Sequence, residues 1–299
     1  MRILVRITEK EKKIVWAISV ALGLVILASV FSVTLVLGRT LPLDWDDFLV
    51  IAIMIAIFPP AAVNYIDRRW RIAVDNNIPK FLREVADSSR TGLTLVRAIE
   101  VSTERRYGPL TGELKRLVRQ LSWGATLEDA LQAFADRVNT RLARRTAILL
   151  AEVSRAGGNI QEIMDSLQKH VSDLQLIDQE RRGQLRQYVA IVYVAVFILL
   201  FMNVILLKTF FSQLEALQEV QAQQPEVQLV TGAMDISALK KIFFHIGVIE
   251  SFFGGLIAGK MGEGSLGAGM KHALILMLIS FLTFAIFVWS WVTIGLQFP

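Results

Sequence analysis

Hydrophobic and polar positions are unevenly spread along the chain, with long uncharged apolar runs on either side of one densely charged middle stretch. Five apolar runs stand out: Ile14–Leu37, Phe48–Ile66, Gln187–Leu207, Ile242–Gly259 and Ala273–Leu296. A helix needs about 20 apolar residues to cross ~30 Å of hydrocarbon, where every backbone polar group must be bonded internally. The pattern predicts an all-α integral membrane protein with about five transmembrane helices. Pro59-Pro60 predicts a kink or an end in the second run. His245 and Glu250 make the fourth run the weakest, with a re-entrant segment as the alternative to a full crossing.

The middle stretch reads differently. Residues 67–186 show no two-residue alternation, and their apolar positions recur at helical spacing. Phe81, Val85, Leu93, Val96 and Ile99 lead, followed by Leu114, Leu117, Val118 and Leu121, then Leu127, Leu131, Phe134 and Val138. Leu142, Ile148, Leu149 and Val153 line a fourth stretch. Ile160, Ile163, Met164, Leu167, Val171 and Leu174 line a fifth, which continues through Ile177 toward the third span. The chain therefore divides into 1–66 (a tail and two spans), 67–186 (one helical bundle) and 187–299 (three spans with a short outer loop at 212–238).

Glycine and a polar cap mark three junctions in this bundle: Gly92 with Thr94, Gly124 with Thr126, and Gly157-Gly158 with Asn159. Glycine accepts the left-handed conformation that ends a helix, and Thr or Asn then accepts a hydrogen bond from a free amide of the next one. Thr126 with Asp129 and Asn159 with Glu162 have the spacing of a capping box.

Charge adds orientation. Arg2, Arg6, Lys10, Lys12 and Lys13 precede the first span; Arg68, Arg69 and Arg71 follow the second; Arg181, Arg182 and Arg186 precede the third. The loop between the first two spans holds Arg39 against Asp44, Asp46 and Asp47. By the positive-inside rule the N-terminus and the central bundle are cytoplasmic, in a multi-pass cytoplasmic (plasma) membrane protein. Lys240-Lys241 before the fourth span oppose the rule, and Lys260 and Lys271 partly offset them. The net charge of +5 fits orientation signals better than nucleic-acid binding, since no aromatic residues interleave the arginines.

Candidate chemistry is sparse. The chain has no cysteine, and its three histidines, His170, His245 and His272, share no metal-ligand spacing. No catalytic, cofactor or metal site is expected, and the chain reads as a non-enzyme. Gly254 to Lys260 matches the spacing G-x-x-x-x-G-K of a phosphate loop, but Met261 stands where a hydroxyl should and no strand precedes it. Close helix packing through Gly255 and Gly259 is the expectation instead. Glu250, an ionisable group within a span, is expected to hydrogen-bond a neighbouring helix, through Asn203 or a subunit partner, with proton relay as the sharper alternative. Arg105, Arg106, Arg116, Arg119, Arg141, Arg144 and Arg145 cluster at helix junctions and read either as a solvated face or as a docking surface for an acidic partner.

Ile78-Pro79-Lys80-Phe81-Leu82, the run Thr91 to Ile99 and the run Ala156 to Met164 resemble the cytoplasmic domain of type II secretion system F-family proteins. The segment Gly255 to His272 resembles archaellum and archaeal type IV pilus platform proteins, and a single such domain is what Tad-type platforms have. The resemblance implies a membrane platform that couples a hexameric secretion ATPase to assembly of pilin-like subunits. It implies work as a homodimer or beside a second platform subunit, with membrane lipid around it. A membrane-anchored signalling adaptor or a small transporter is the alternative.

Overall fold

The computed structural model describes residues 7–36, 45–156, 160–223 and 236–288, and among them there is no strand. The helices are α1 (Glu9–Val36), α2 (Trp45–Asp75), α3 (Ile78–Arg90), α4 (Leu95–Ser102), α5 (Leu110–Ser122), α6 (Leu127–Val138), α7 (Arg141–Ala156), α8 (Ile160–Gln223), α9 (Ile236–Glu263) and α10 (Leu266–Phe287). They form two compact units, one built on Tyr65–Gly183 and the other on Glu9–Asn64 with the described residues from Gln184 onward. Both α2 and α8 supply residues to each unit.

The second unit is the apolar one. Among the described residues, five helical stretches are long and apolar enough to cross a membrane: Lys10–Ser32, Asp47–Arg90, Glu162–Thr209, Ala238–Glu263 and Leu266–Phe287. The 64 residues of α8 extend about 96 Å at 1.5 Å per residue, some three times the hydrocarbon thickness. Pro59 and Pro60 do not end α2, which runs through both. Each proline deletes one ladder donor, and a membrane helix tolerates this where its neighbours hold it. Here a Cβ on Gly23 of α1 would lie 3.1 Å from the Ala56 Cβ, so the turn before the prolines rests against a small-residue contact.

α9 and α10 form a hairpin whose backbones touch. A Cβ added at Gly255 would lie 2.1 Å from the Ala273 backbone, and one at Gly259 would lie 2.1 Å from Gly269 Cα. Only the absence of a side chain permits this spacing, and close approach is what drives helix pairing where no water is available to expel. Farther along the hairpin Phe244 stacks edge-on against Phe284, with centroids 5.4 Å apart. Val196, Leu200 and Leu207 of α8 complete the apolar layer with Val50 of α2.

The glycine run that mimics a phosphate loop lies inside α9, where its amides belong to the helical ladder. The last span begins at Leu266 rather than Ala273, because Ser265 caps α10 by accepting from the Ala268 N–H (3.3 Å). Lys271 and His272 are accommodated inside that helix. Lys271 pairs with Glu263, and His272 Nδ1 meets the Tyr193 hydroxyl of α8 at 2.7 Å. Helical side chains lean toward the N-terminus, which carries both residues back to the turn. Of the loop expected at 212–238, residues through Gln223 belong to α8, and 224–235 lie outside the described residues.

The first unit is a helical bundle. Phe81, Leu82 and Val85 of α3, Ala98 and Ile99 of α4, Leu114 and Leu117 of α5, Leu131 and Phe134 of α6, Leu150 of α7 and Met164 of α8 share one core. Trp70 and Val74 of α2 join it. Tyr107 is buried against Phe81 and donates its hydroxyl to the Ser102 carbonyl (3.0 Å). Val96, Ile148 and Ile163 fit the apolar periodicity yet are exposed. On α7 the inward face is Ala143, Ala147, Leu150 and Val153, and Ile148 falls outside it.

Replacing Gly255 or Gly259 by leucine is expected to lower the thermal midpoint of the detergent-solubilised chain sharply, since overpacking against backbone costs about 1–3 kcal/mol or more. Gly183→Ala, where an added Cβ meets nothing within 4 Å, is expected to leave it unchanged or raised. Equal midpoints for all three variants would refute a contact hairpin.

Candidate functional site

The junctions of the bundle are built from local chemistry. Gly92 and Gly124 adopt φ of +86° and +88°, the left-handed region, directly before the next helix. Thr94 then accepts from the Arg97 N–H (3.4 Å), and Thr126 from the Asp129 N–H (3.1 Å). The Thr126 hydroxyl donates to Asp129 Oδ2 (2.7 Å), so the carboxylate replies to the side chain of the cap. Each such cap is worth about 1 kcal/mol. Gly157, Gly158 and Asn159 lie outside the described residues. A fourth junction of the same kind escaped the pattern: Asn139 takes φ +51°, and Thr140 accepts from the Ala143 N–H (3.1 Å) to open α7. An asparagine in place of the glycine hid it.

Arg71 holds this fourth junction to α2. Its Nη1 donates to the Val138 carbonyl (3.1 Å) and the Asn139 carbonyl (2.7 Å), satisfying the C-terminal end of α6, while Nε donates to Asp67 (2.9 Å). One turn on, Asp75 accepts from the Thr140 hydroxyl (2.6 Å). Charge counting assigns Arg71 to orientation alone; in the fold it also fastens the C-terminal end of a span-bearing helix to the α6–α7 turn. Burial pushes the Asp75 carboxyl up to about 6, against the Thr140 hydrogen bond and the nearby Arg182 and Arg71 charges; Asp178 raises it further.

A buried ion pair performs the same task between α5 and α6. Glu113, 5% exposed, accepts from Arg137 Nε at 2.9 Å and from Arg116 at 3.1 Å, while Arg137 also donates to Gln120 (3.3 Å). Breaking such a pair from one side leaves a buried charge alone, a penalty of about 3–5 kcal/mol.

These internal pairs sort the seven candidate docking arginines. Arg116 is tied to Glu113, and Arg105, though largely exposed, donates to Glu84 (2.6 Å). Arg106, Arg119, Arg141, Arg144 and Arg145 are exposed and make no ion pair among the described residues. Three of them, Arg141, Arg144 and Arg145, stand in the first turns of α7, which has no acidic residue in its first turn. Cations there oppose the positive end of the helix dipole.

In the apolar unit, the buried Oε1 of Glu250 has no hydrogen-bond partner among the described residues, and Asn203 does not supply one. The buried Ser251 and Ser280 hydroxyls share that condition. Gly255 and Gly259 lie at the backbone contact already described.

A multi-span helical membrane protein with a bundle set between its second and third spans, presenting unpaired arginines, is thus defined. Residues 81–207 match the model of the family described as type II secretion system (T2SS), protein F. The matched range begins in α3 and ends inside α8. Over 246 residues, 81% of its length, it is 25% identical to an uncharacterised protein of Methanocaldococcus jannaschii. The chain spans 38% of the length of that relative. No solved structure matches.

The raised Asp75 carboxyl gives a pH prediction. Its folded-state value of about 6 lies above the ordinary 3.8, so the stabilising protonated form is complete below 3.8 and is lost as pH rises through 6. Asp75→Asn is expected to raise stability relative to the native chain by more at pH 8 than at pH 4, by up to roughly 3 kcal/mol. A gap between the two chains that does not change with pH would contradict the burial of that carboxyl.

Proposed function

We propose that this chain is the membrane platform of a type IV pilus-like or archaellum-like assembly machine. In this reading a hexameric secretion ATPase grips the bundle from the cytoplasm, and pilin-like subunits are lifted from the bilayer beside the spans. The observation that carries it is the F-domain match over 81–207, which takes in most of the bundle and the apolar run Gln187–Leu207 of the third span. The role is mechanical rather than catalytic, in keeping with a family whose platform proteins are typically not enzymes.

Two structural features support the reading. First, the arginine-bearing start of α7 places Arg141, Arg144 and Arg145 where the helix itself disfavours them and no acid answers them. A local rule broken without internal compensation is what a binding site looks like. An acidic rim on the ATPase would supply the missing counter-charge and steer its approach. Arg106 adds to this surface, with Arg105, Arg116 and Arg119 lending positive potential. Second, α8 is helical without interruption from Ile160 to Gln223, through Gly183. A hydrogen-bonded helix passes displacement along its axis better than a loop does, so α8 is the candidate lever.

Two experiments test this. Reversing Arg141, Arg144 and Arg145 to glutamate is expected to abolish co-purification of a hexameric ATPase while membrane insertion persists; undiminished capture would remove the docking surface. Inserting a flexible Gly-Gly-Ser-Gly stretch after Gly183 is expected to stop filament assembly with ATPase capture retained. Normal piliation in that variant would remove the lever. Recovery of a kinase, or a solute-dependent stability shift, in place of the ATPase would turn the reading toward signalling or transport.

A further inference from the structure

Trp123 is 85% exposed, at the C-terminal end of α5 in the turn that leads to α6. An indole left in water is unusual, because burying it would remove 150–250 Å² of mostly apolar surface. The exposed face of α5 that ends on it runs Gly112, Lys115, Arg116, Arg119 and Ser122, at helical spacing. This face carries three cations and no acid, and neither Lys115 nor Arg119 is ion-paired among the described residues. Glu113 lies beneath it, turned inward to Arg137.

Its complement is on the same bundle. Between α6 and α7 lies a groove of about 300 Å³. Leu131, Ala147, Ile148 and Ala151 give it an apolar floor, and Ile148 is 49% exposed there. Glu128, Asp129 and Glu152 rim it, with Gln132. Arg155 is the sole cation of the lining and is already tied to Glu128 by two charge-assisted bonds. The rim thus keeps an acidic excess around a floor of small and branched apolar side chains.

We infer that Trp123 of one copy of this chain seats in the α6–α7 groove of a second copy, with Lys115 and Arg119 over Asp129 and Glu152. The occupant is a second copy because the cationic, indole-tipped face and the acid-rimmed apolar groove complement each other in charge and both belong to this one bundle. Trp123 stands three residues before the cap Thr126, and Glu128 and Asp129, at one end of the groove, follow in the next turn. Knob and groove are therefore close along the chain, and a two-fold contact lets each copy give and receive the same group. Tryptophan and arginine side by side are also the residue types that dominate binding energy at interfaces. The inference does not depend on the ATPase reading, since it concerns α5 to α7 against themselves.

The absence of native cysteine allows a direct test in membranes of the full chain. Two differently tagged copies are co-expressed, one carrying Ser122→Cys beside the knob and the other Gln132→Cys on the groove rim, and treated with a short bis-maleimide. A mixed-tag dimer is expected. Its yield should fall about tenfold when both copies also carry Trp123→Ala and should hold with Trp123→Phe. Arg119→Glu should weaken it, and Glu152→Arg in the other copy should restore it. An absent mixed dimer, or one indifferent to Trp123, overturns the inference. So does a Trp123→Ala chain that keeps its dimer but loses an acidic cytoplasmic protein, because the face then belongs to that protein.

Discussion

Hydrocarbon offers a peptide group nothing to bond with, so each segment that enters it must carry its hydrogen bonds inside itself. In this chain that demand governs more than the apolar residues. It makes α2 and α8 continuous helices, and neither stops where its apolar run stops: α2 continues to Asp75, and α8 begins as far back as Ile160. The bundle is thus made partly from helices that also serve the apolar unit, with Trp70 and Val74 at one end and Met164, Leu167 and Val171 at the other sharing its core. A bundle held this way needs few residues of its own to define where its chain begins and ends.

Inside the apolar unit the usual reward for burying hydrophobic surface is missing, because lipid is as apolar as leucine. Contact must then come from close packing, and glycine allows the closest. The α9–α10 hairpin uses it at Gly255, Gly259 and Gly269. In the bundle, where water is the alternative, the solution changes. Large side chains fill the core, and the polar contacts are those that tie one helix to the next: Arg71 across the end of α6, and Arg137 on Glu113 between α5 and α6. Two solvents, applied to one chain, give two kinds of helix pairing.

What the bundle leaves unpaired is as informative as what it pairs. Several of its acids and bases are answered locally, including Arg90 by Asp165 and Arg97 by Glu100. The arginines at the start of α7 and the indole of Trp123 are not, and both stand at helix ends. Both surfaces draw on α7, whose first turns carry the arginines and whose later residues, Ala147 to Arg155, line the groove.

Much was legible from residue order alone. Five apolar runs dictate the helical membrane class, because length and apolarity are one-dimensional properties and the bilayer tests nothing else. The junctions at Gly92–Thr94 and Gly124–Thr126 were legible for a similar reason, since a cap bonds residues only three apart. The continuity of α2 through its prolines, the placing of Lys271 and His272 within α10 and the exposure of Ile148 were decided by packing. There a neighbour supplies what the local pattern lacks, or a face points away from the core despite its period. Arg71 bridging to Val138, Glu113 meeting Arg137 and a groove opening between α6 and α7 all join residues far apart in the chain. Such meetings depend on which helix lies against which, and periodicity within each helix, being blind to its neighbours, cannot state them.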